Sequence, residues 1–169
     1  MEGARFADEN GFVAVWTPER HFHAFGGPYP NPAITGAAVA ATTQNLEIRS
    51  GSCVLPLHDP IRVAEEWAVL DNLSNGRVAL GVASGWQPND FVLAPSNFED
   101  NKSVALDYIE RVRKLWRGEE VLCPGPLGED VSVSTQPRPV QAELPIWMTT
   151  AGNPESYRAA ARTQANVLT

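Results

Sequence analysis

The chain has 169 residues, of which 43% are hydrophobic and 20% are charged, a composition typical of one globular domain. Its net charge of −7, with scattered lysines and arginines, argues against a nucleic-acid groove and against binding to an anionic membrane surface. No apolar run approaches the roughly 18 residues that span a bilayer, and the charged start MEGARFADENG lacks the apolar region of a signal peptide.

The first third of the chain alternates predicted helices and strands. Residues 2–10 are predicted to be the end of a helix that Asn-Gly stops. The apolar run FVAVW at 12–16 predicts a strand covered on both faces. An alanine-rich helical segment at 33–43 leads into a second strand at 46–55, LEIRSGSCVL, which Ser-Gly-Ser interrupts.

The middle of the chain continues this alternation. The segment HDPIRVAEEWAVLDNLSNG predicts a helix with Asp59 as its N-cap and Pro60 in its first turn. A third strand is predicted at 77–85, and a helix with one apolar face covers about 98–117.

The last third begins with a segment at 118–144 that is rich in proline and glycine. Within it, VSVST predicts a small strand outside the main sheet. A fourth strand is predicted at 144–152, followed by a helix that Asn153 caps. ANVLT at the end of the sequence predicts the beginning of a fifth strand.

Alternation of this kind indicates parallel strands with right-handed crossovers, either in an open doubly wound sheet or in a barrel of eight βα units. The first strand lacks a glycine-rich phosphate turn. Polar residues instead follow each strand, as in barrel enzymes, at 19–23, 58–59, 84–90 and 149–153. A complete barrel needs about 250 residues. We therefore predict an α/β fold in which residues 1–169 form a single domain, about half of a (β/α)8 barrel.

The two cysteines predict no metal site. Cys53 and Cys123 form neither a CxxC motif nor a cluster with histidine. Reduced thiols in a cytoplasmic protein are the expected state.

Several stretches resemble the bacterial luciferase-like flavin monooxygenases, and the resemblance runs along essentially the whole chain. They are GFVAVWTPERHF, FGGPYPNP, SGSCVLPLHDPIRVAEEWAVLDNLSNGRVALGVASGW and PIWMTTAGNPES. The ERHFHAFGG loop further resembles the subgroup associated with polyketide and non-ribosomal peptide biosynthesis. The resemblance implies a (β/α)8 barrel represented by about its second to sixth strands, and a homodimer. It also implies reduced FMN as cofactor, supplied by a separate flavin reductase, with O2 and a small-molecule substrate.

The loop after the first strand carries the catalytic residues that this resemblance implies. Arg20 stands where relatives often have a histidine, and an always-charged guanidinium cannot act as a base near neutral pH. It is expected to stabilise an anionic reduced flavin, while His21 or His23 exchanges protons. Phe22 and Phe25 are expected to exclude water. The alternative is a structural ion pair between Glu19 and Arg20, with His21 packed in the loop.

The Ser-Gly-Ser interruption predicts a bulge in the second strand. By resemblance, the flavin ring lies over it, and the Gly51–Ser52 bond is the non-proline cis peptide found there in relatives. An ordinary strand glycine that allows tight packing is the alternative.

Two further turns are expected to bind the cofactor. Ser84, Gly85 and Trp86 follow the third strand and would face the flavin, although the phosphate-binding arginine of some relatives is replaced by Ser84. At the last predicted helix start, Gly152, Asn153 and Ser156 match the phosphate-binding turn of the family, where free N–H groups and the helix dipole favour an anion. Simple capping by Asn153 is the alternative.

The remaining site predictions concern the mouth of the barrel. Thr149 is expected at the cofactor, and His58 and Asn89 are expected to line the substrate cavity. Together these residues predict an FMN-dependent monooxygenase that tailors a natural-product intermediate. A deazaflavin-dependent oxidoreductase and a catalytically silent fragment stay open as alternatives.

Overall fold

A computed structural model of the chain describes residues 1–25 and 29–169, so the Gly-Gly-Pro part of the predicted active-site loop lies outside the described residues. The helices and strands alternate along the chain as predicted. They are α1 Glu2–Glu9, β1 Ala14–Thr17, α2 Pro32–Ala40, β2 Glu47–Ser50, β3 Cys53–Val54, α3 Pro60–Ser74, β4 Val78–Ala83, α4 Asn101–Arg117, β5 Val121–Pro124, β6 Asp130–Val133, β7 Ile146–Thr149, α5 Pro154–Arg162 and β8 Asn166–Leu168.

The main sheet is parallel throughout, which confirms the prediction from the alternation of helices and strands. Its strands lie in the order β1, β2, β4, β7, β8, and β3 continues the line of β2 beside β4. The predicted small strand outside the main sheet is β6, which pairs with β5 in an antiparallel ribbon. Sequence reasoning missed β5, because its four residues include a proline and show no clear alternation.

The predicted helix caps are confirmed. The Asp59 carboxylate accepts a hydrogen bond from the Ile61 N–H at 2.7 Å, and the Asn153 side chain accepts one from the Glu155 N–H at 2.9 Å. Asn75 ends α3 in the left-handed conformation, with φ at 56°. The predicted boundaries at 98–117 and 144–152 are too wide, since α4 begins only at Asn101, after a short 3-10 turn, and β7 ends at Thr149.

The main core lies between the sheet and the helices that cover its outer face. Ile48, Leu80 and Ile146 point outward from three neighbouring strands, and they belong to one buried cluster with Trp67 of α3 and Trp116 of α4. Full burial of each such side chain stabilises the fold by about 2 kcal/mol. Of the helices that the structure describes, none combines the length and apolar character that crossing a bilayer requires.

A register shift separates β2 from β3. Arg49 of β2 pairs with Ala79 of β4, but Cys53 of β3 pairs with Val82. The segment from β2 to β3 therefore contains one residue more than the stretch of β4 opposite it. An extra residue in one strand of a pair is a β-bulge. The bulge predicted from the Ser-Gly-Ser sequence is therefore confirmed.

Ser50 holds the bulge against β4. Its hydroxyl donates to the Gly81 carbonyl and accepts from the Gly81 N–H, both at 2.8 Å. A Cβ at Gly81 would lie 2.1 Å from the Ser50 carbonyl oxygen, so only glycine fits there. The Gly51–Ser52 peptide bond is cis, as predicted.

The inner face of the sheet is strongly concave. Trp16 of β1 and Trp147 of β7 have ring centroids 5.4 Å apart, although β2 and β4 separate their strands. In a flat sheet, three strand spacings would separate them by about 14 Å. The Arg49 guanidinium lies against both rings, at 5.2 Å and 4.6 Å, and pairs with Glu47. The sheet therefore curves as part of a barrel does.

Candidate functional site

The first candidate cavity lies at the carboxyl ends of β1, β3, β4 and β7. This strand-end cavity has a volume of about 200 Å³. Its lining residues come from four separate chain segments: Glu19, Arg20, Gly51, Ser52, Val54, Ala83, Gly85, Trp86, Asp90 and Thr149. Parallel strands bring their carboxyl ends together at one edge, which explains why residues so distant in the chain meet there. The predicted residues Gly51, Ser52, Gly85, Trp86 and Thr149 are thus brought together.

Ser52 and Thr149 join the bulge to the end of β7. Their hydroxyl oxygens are 2.5 Å apart, so the two side chains share a hydrogen bond across the cavity floor. Trp86 is 78% exposed, which leaves most of its indole available to a ligand in the strand-end cavity.

Two of the cavity glycines are packed against aromatic side chains. A Cβ at Gly51 would meet the Trp16 Cβ at 2.8 Å, and one at Gly85 would meet the Phe91 ring at 2.8 Å. Tight packing, the alternative considered for Gly51, is therefore a sufficient reason for glycine here. That either glycine admits a ligand stays a prediction.

A second cavity, of about 170 Å³, adjoins the first and carries positive charge. This cationic cavity lies between α4 and α5, and two cations and one carboxylate line it together with small polar and apolar groups: Lys102, Arg162, Glu155, Ser84, Thr149, Asn153, Ser156, Val82, Ala105, Leu106, Met148 and Ala159. Thr149 lines both cavities. Sequence reasoning missed Lys102 and Arg162, because no motif marks them and only the packing of the two helices brings them together. Ser84 lies here and not among the residues of the strand-end cavity.

The start of α5 contributes polar groups to the cationic cavity. Asn153 caps the helix, as the structural alternative predicted, and it also lines the cavity; that it binds a phosphate stays a prediction. The Ser156 N–H donates to the Asn153 carbonyl at 3.0 Å, which leaves its hydroxyl as its binding group. Gly152 has φ at +92°, and a Cβ there would contact nothing within 4 Å. The turn is therefore open on that side.

A third cavity, of about 370 Å³, lies under the loop after β1. This loop cavity is lined mainly by apolar and aromatic groups: Arg20, His21, Phe22, His23, Phe25, Trp86, Gln87, Asn89 and Asp90. Phe22 and Phe25 are 68% and 73% exposed. The structure thus places His21, His23, both phenylalanines and Asn89 around one space, as predicted for a catalytic loop and substrate wall.

Arg20 and His23 make local contacts within this loop. The Arg20 guanidinium lies 6.0 Å from the centre of the Phe25 ring. His23 is exposed, and its Nδ1 accepts a hydrogen bond from the Phe25 N–H at 3.0 Å. These contacts shape the turn and leave the Arg20 charge at the junction of the loop cavity and the strand-end cavity.

Glu19 is the organising residue that sequence reasoning missed. Its side chain is fully buried, and its Oε1 lies 2.7 Å from the Nε2 atoms of both His21 and His58. Its Oε2 accepts from the Val54 N–H at 2.7 Å. The alternative of a Glu19–Arg20 ion pair is wrong for the described residues, because the carboxylate is turned toward the two histidines.

His58 contacts Glu19 and is not among the residues that line the three cavities above. Burial disfavours its charged form, but the hydrogen bond to Glu19 and the charges of Glu19 and Glu66 outweigh this, so the pKa of His58 is raised. Burial also raises the pKa of the Cys53 thiol, and the nearby carboxylates add to this effect. Cys53 is therefore a neutral thiol at physiological pH.

Glu19, Cys53 and His58 place three candidate metal ligands within 4.8 Å of one another, a cluster that sequence reasoning did not predict. Hydrogen bonds account for this arrangement. Three N–H groups already occupy both oxygens of Glu19, at distances of 2.7 Å. The geometry is that of a hydrogen-bonded network.

A larger, open cleft of about 550 Å³ lies at the amino ends of β7 and β8, next to Arg113, Arg117 and Glu143. None of the residues predicted from the sequence lines it, although Arg162 of the cationic cavity also reaches this cleft. In parallel α/β folds, ligands bind at the carboxyl ends of the strands. The three adjoining cavities at that end are therefore the candidate active site.

Comparisons with known proteins identify the family and the fold. Residues 1–169 match the family described as luciferase-like monooxygenase. The chain is 30% identical over 170 residues to the oxygenase component of the flavin-dependent trigonelline monooxygenase of Acinetobacter baylyi. That match covers 99% of the chain and 46% of the relative.

Solved structures show the same fold. Monooxygenase RslO1 from Streptomyces bottropensis superposes with a TM-score of 0.87 at 33% identity, over 98% of this chain and 51% of RslO1. The oxygenating constituent of 3,6-diketocamphane monooxygenase from Pseudomonas putida, solved in complex with FMN, has a TM-score of 0.82 over 98% of this chain and 49% of that one. At 20% identity, the second match shows the fold alone. The chain thus spans about half the length of these proteins, which confirms the predicted partial barrel.

Proposed function

Because the chain belongs to the luciferase-like monooxygenase family, we propose that it supplies the flavin-binding part of an FMN-dependent monooxygenase. The observation that carries this proposal is the pair of cavities that share Thr149. One is lined by small and aromatic groups together with Glu19, Arg20 and Asp90, and it suits a flat ring with polar edges. The other is lined by Lys102, Arg162 and two serines, with Glu155 as its one carboxylate, so cations outnumber anions and it suits a phosphate.

The chemistry of these residues fits FMN. Val54, Ala83 and Trp86 offer apolar surface to an isoalloxazine ring, and Ser52 offers a hydroxyl at its edge. The two cations and the polar start of α5 provide the charge-assisted hydrogen bonds that a phosphate requires. Lys102 and Arg162 would thereby do the work of the arginine that some relatives carry at the position of Ser84.

Reduced FMN, when bound, supplies the electrons with which O2 is activated to oxygenate a substrate. The residues of this chain bind it and control its surroundings. The permanent charge of Arg20 complements an anionic flavin. His21 exchanges protons at the boundary of the loop cavity, and Phe22 and Phe25 keep bulk water out of that space.

The loop cavity supports a small organic substrate with apolar surface, because aromatic rings form much of its wall. Trigonelline monooxygenase is described as an oxygenase component, and such a component needs reduced flavin from elsewhere. We extend this to the present protein, with a separate reductase as partner. Tailoring of a natural product is also part of the proposal. It is supported by the likeness to 4-hydroxyprotoasukamycin monooxygenase of Streptomyces nodosus, which is 29% identical over 71% of the chain. A homodimeric state is the last part of the proposal.

The test is a titration of the chain with oxidised and dithionite-reduced FMN, followed by flavin fluorescence and by melting temperature. Binding of reduced FMN that raises the melting temperature is expected. Lys102→Ala should weaken FMN binding by about tenfold, the loss of one charge-assisted contact. Binding of riboflavin, which lacks the phosphate, should not change.

Lys114→Ala is the matched control, since Lys114 is also exposed on α4 but does not line the cationic cavity. Equal losses of FMN binding in the two variants would contradict the assigned phosphate site. Absence of binding by either flavin form would leave the silent-fragment alternative as the better description. If reduced FMN does bind, a measurement of oxygen consumption by the complex separates the monooxygenase from the deazaflavin alternative.

A further inference from the structure

The Glu19 carboxylate receives three donors from three separate places in the chain. His21 belongs to the loop after β1, His58 precedes α3, and the Val54 N–H belongs to β3. All three distances are 2.7 Å, which is short for N–H···O bonds. The Glu19 side chain has no exposed surface, so water does not compete for these positions.

An ionised carboxylate can only accept hydrogen bonds. Both imidazoles contact the same oxygen through Nε2, so both must carry a proton on that atom. A Glu19 protonated on Oε1 would donate to one ring and accept from the other, which requires one of the two imidazoles to be in the Nδ1–H form. The ionised form is the one in which both rings donate through Nε2, and it is also the form whose charge raises the pKa of His58.

We propose that Glu19 is a positioning residue which locks His21 and His58 in the Nε2–H form, so that protons enter and leave His21 at Nδ1. The use of that proton in oxygenation rests on the proposed function. The lock itself concerns only groups of this chain. His21 lines the loop cavity, so Glu19 determines which ring nitrogen of His21 exchanges a proton there without itself lying at the reacting atoms.

The same carboxylate fixes the loop to the sheet. Because Oε2 accepts from Val54, directly beyond the bulge, the orientation of His21 is tied to the strand that forms the cavity floor. Burial disfavours the protonated form of His58, but the hydrogen bond to Glu19 and the charges of Glu19 and Glu66 outweigh it and raise the pKa of this ring.

Other charged groups surround the network and contribute to its titration. Glu66 of α3 acts on both His58 and Cys53, and Arg62 of the same helix pairs with Glu66 at 3.6 Å. From the loop and the turn after β4, Arg20 and Asp90 line the strand-end cavity together with Glu19. Any pH dependence therefore belongs to the network as a whole.

The test is a long-range 1H–15N spectrum of the 15N-histidine-labelled chain without flavin, recorded from about pH 5 to about pH 9, across the ordinary histidine range. Neutral His21 and His58 are expected in the Nε2–H form. In Glu19→Gln, the amide presents one oxygen and one NH2 group, and the latter can only donate. If the NH2 group takes the place of Oε1, the rings should switch to the Nδ1–H form; if the amide oxygen does, both rings keep the Nε2–H form and the Val54 N–H loses its acceptor. In either orientation the charge at Glu19 is lost, so the pKa of His58 should fall.

Glu66→Gln is the matched control, because it removes a nearby charge without removing a hydrogen bond to either ring. It should preserve both tautomers and lower the pKa of His58 by less than Glu19→Gln does. An Nδ1–H form of neutral His21 in the unmodified chain would overturn the proposal, and this holds even if Glu19→Gln does not fold. Since no flavin is present, failure of FMN binding would refute the proposed function alone.

Discussion

Among the residues that the structure describes, Asp71 and Glu19 both have carboxylates with no exposed surface, and they differ in the donors that hold them. Asp71 accepts from the backbone N–H groups of Val140 and Gln141 at 2.7 and 2.9 Å and from the Gln141 side-chain amide at 2.7 Å. Glu19 also has three donors, but two of them are imidazoles. Amide groups do not titrate near neutral pH, whereas imidazoles do.

This difference distinguishes a carboxylate with a structural role, Asp71, from one that contacts titratable groups, Glu19. Asp71 ties the segment before β7 to α3 through donors that are all amide groups. Glu19 holds groups whose charge changes near neutrality, and it lies beside the cavities at the carboxyl ends of the strands. Burial of a carboxylate is thus no sign of function by itself, and the titratability of its donors is the informative property.

The largest loss of folding stability is expected for Asp71→Ala. The change removes the acceptor of three part-buried hydrogen bonds and leaves a cavity in the core, so the free energy of unfolding should fall by about 3 kcal/mol. Urea unfolding at several pH values measures this, and the loss should be the same throughout the neutral range. A loss that varied with pH would show that Asp71 is not the purely structural member of the pair.

Glu19→Gln should cost less, about 1–2 kcal/mol, because glutamine keeps some of the hydrogen bonds but loses the charge. Its signature is in the pH dependence. Since the folded-state pKa of His58 is raised, its contribution is fully present below the ordinary value of 6.5 and is lost as the pH rises through the folded-state value. The unmodified chain should therefore lose stability across that window.

In Glu19→Gln, this decline above pH 6.5 should flatten. Asp71→Ala is the control that should keep the decline. Parallel pH profiles for the unmodified chain and Glu19→Gln would contradict the charge coupling between Glu19 and His58.

Gln141→Ala tests the same comparison by removing one of the donors to Asp71 and leaving the carboxylate in place. The Gln141 amide nitrogen donates to Asp71 at 2.7 Å and to the Val78 carbonyl at 3.0 Å. Its removal should lower the free energy of unfolding by about 1 kcal/mol without any pH dependence, since the Asp71 carboxylate keeps its two backbone donors. Thermal unfolding at two pH values is sufficient, and a larger loss at one of them would count against a purely structural role for this contact.

The smallest change in stability is expected for a substitution of Asp8, a carboxylate that differs from both Asp71 and Glu19. It lies near the surface and accepts from the backbone N–H groups of Gln44, Asn45 and Leu46, each at 2.8 Å. The hydrogen bond from Gln44 is the main cause that lowers the pKa of Asp8 below its ordinary 3.8. Its contribution is present above that value and is lost as the pH falls through the lower folded-state pKa.

Asp8→Asn should therefore change only the acid limb of the stability profile, with neutral-pH stability almost preserved. Acid unfolding followed by circular dichroism tests this. An effect at neutral pH as large as that of Asp71→Ala would remove the distinction between buried and surface carboxylates.

Local sequence patterns predicted the parts of this fold that depend on local interactions. The caps at Asp59 and Asn153 follow from side chains that bond to N–H groups two residues away. The bulge followed from a glycine between two serines in an otherwise apolar strand. Such features need no knowledge of which strands are neighbours.

The site depended on contacts that no local pattern encodes. Glu19 and His58 are 39 residues apart in sequence, and only the adjacency of the loop after β1 to the end of β3 brings them together. The missed cations are similar, since Lys102 and Arg162 meet only because α4 and α5 flank the same cavity. An acidic residue beside a histidine-rich stretch, with a second histidine after the next strand, was the available signal for Glu19.

The two neighbouring indoles on the inner face of the sheet also provide a spectroscopic signal. Of the five tryptophans in the chain, Trp16 and Trp147 lie edge to face at 5.4 Å, with a guanidinium against both rings. Electronic transitions of indoles this close couple, and the resulting circular dichroism couplet depends on their separation and angle. Because two strands lie between them, that signal reports the curvature of the sheet itself, and it does so without label, ligand or turnover.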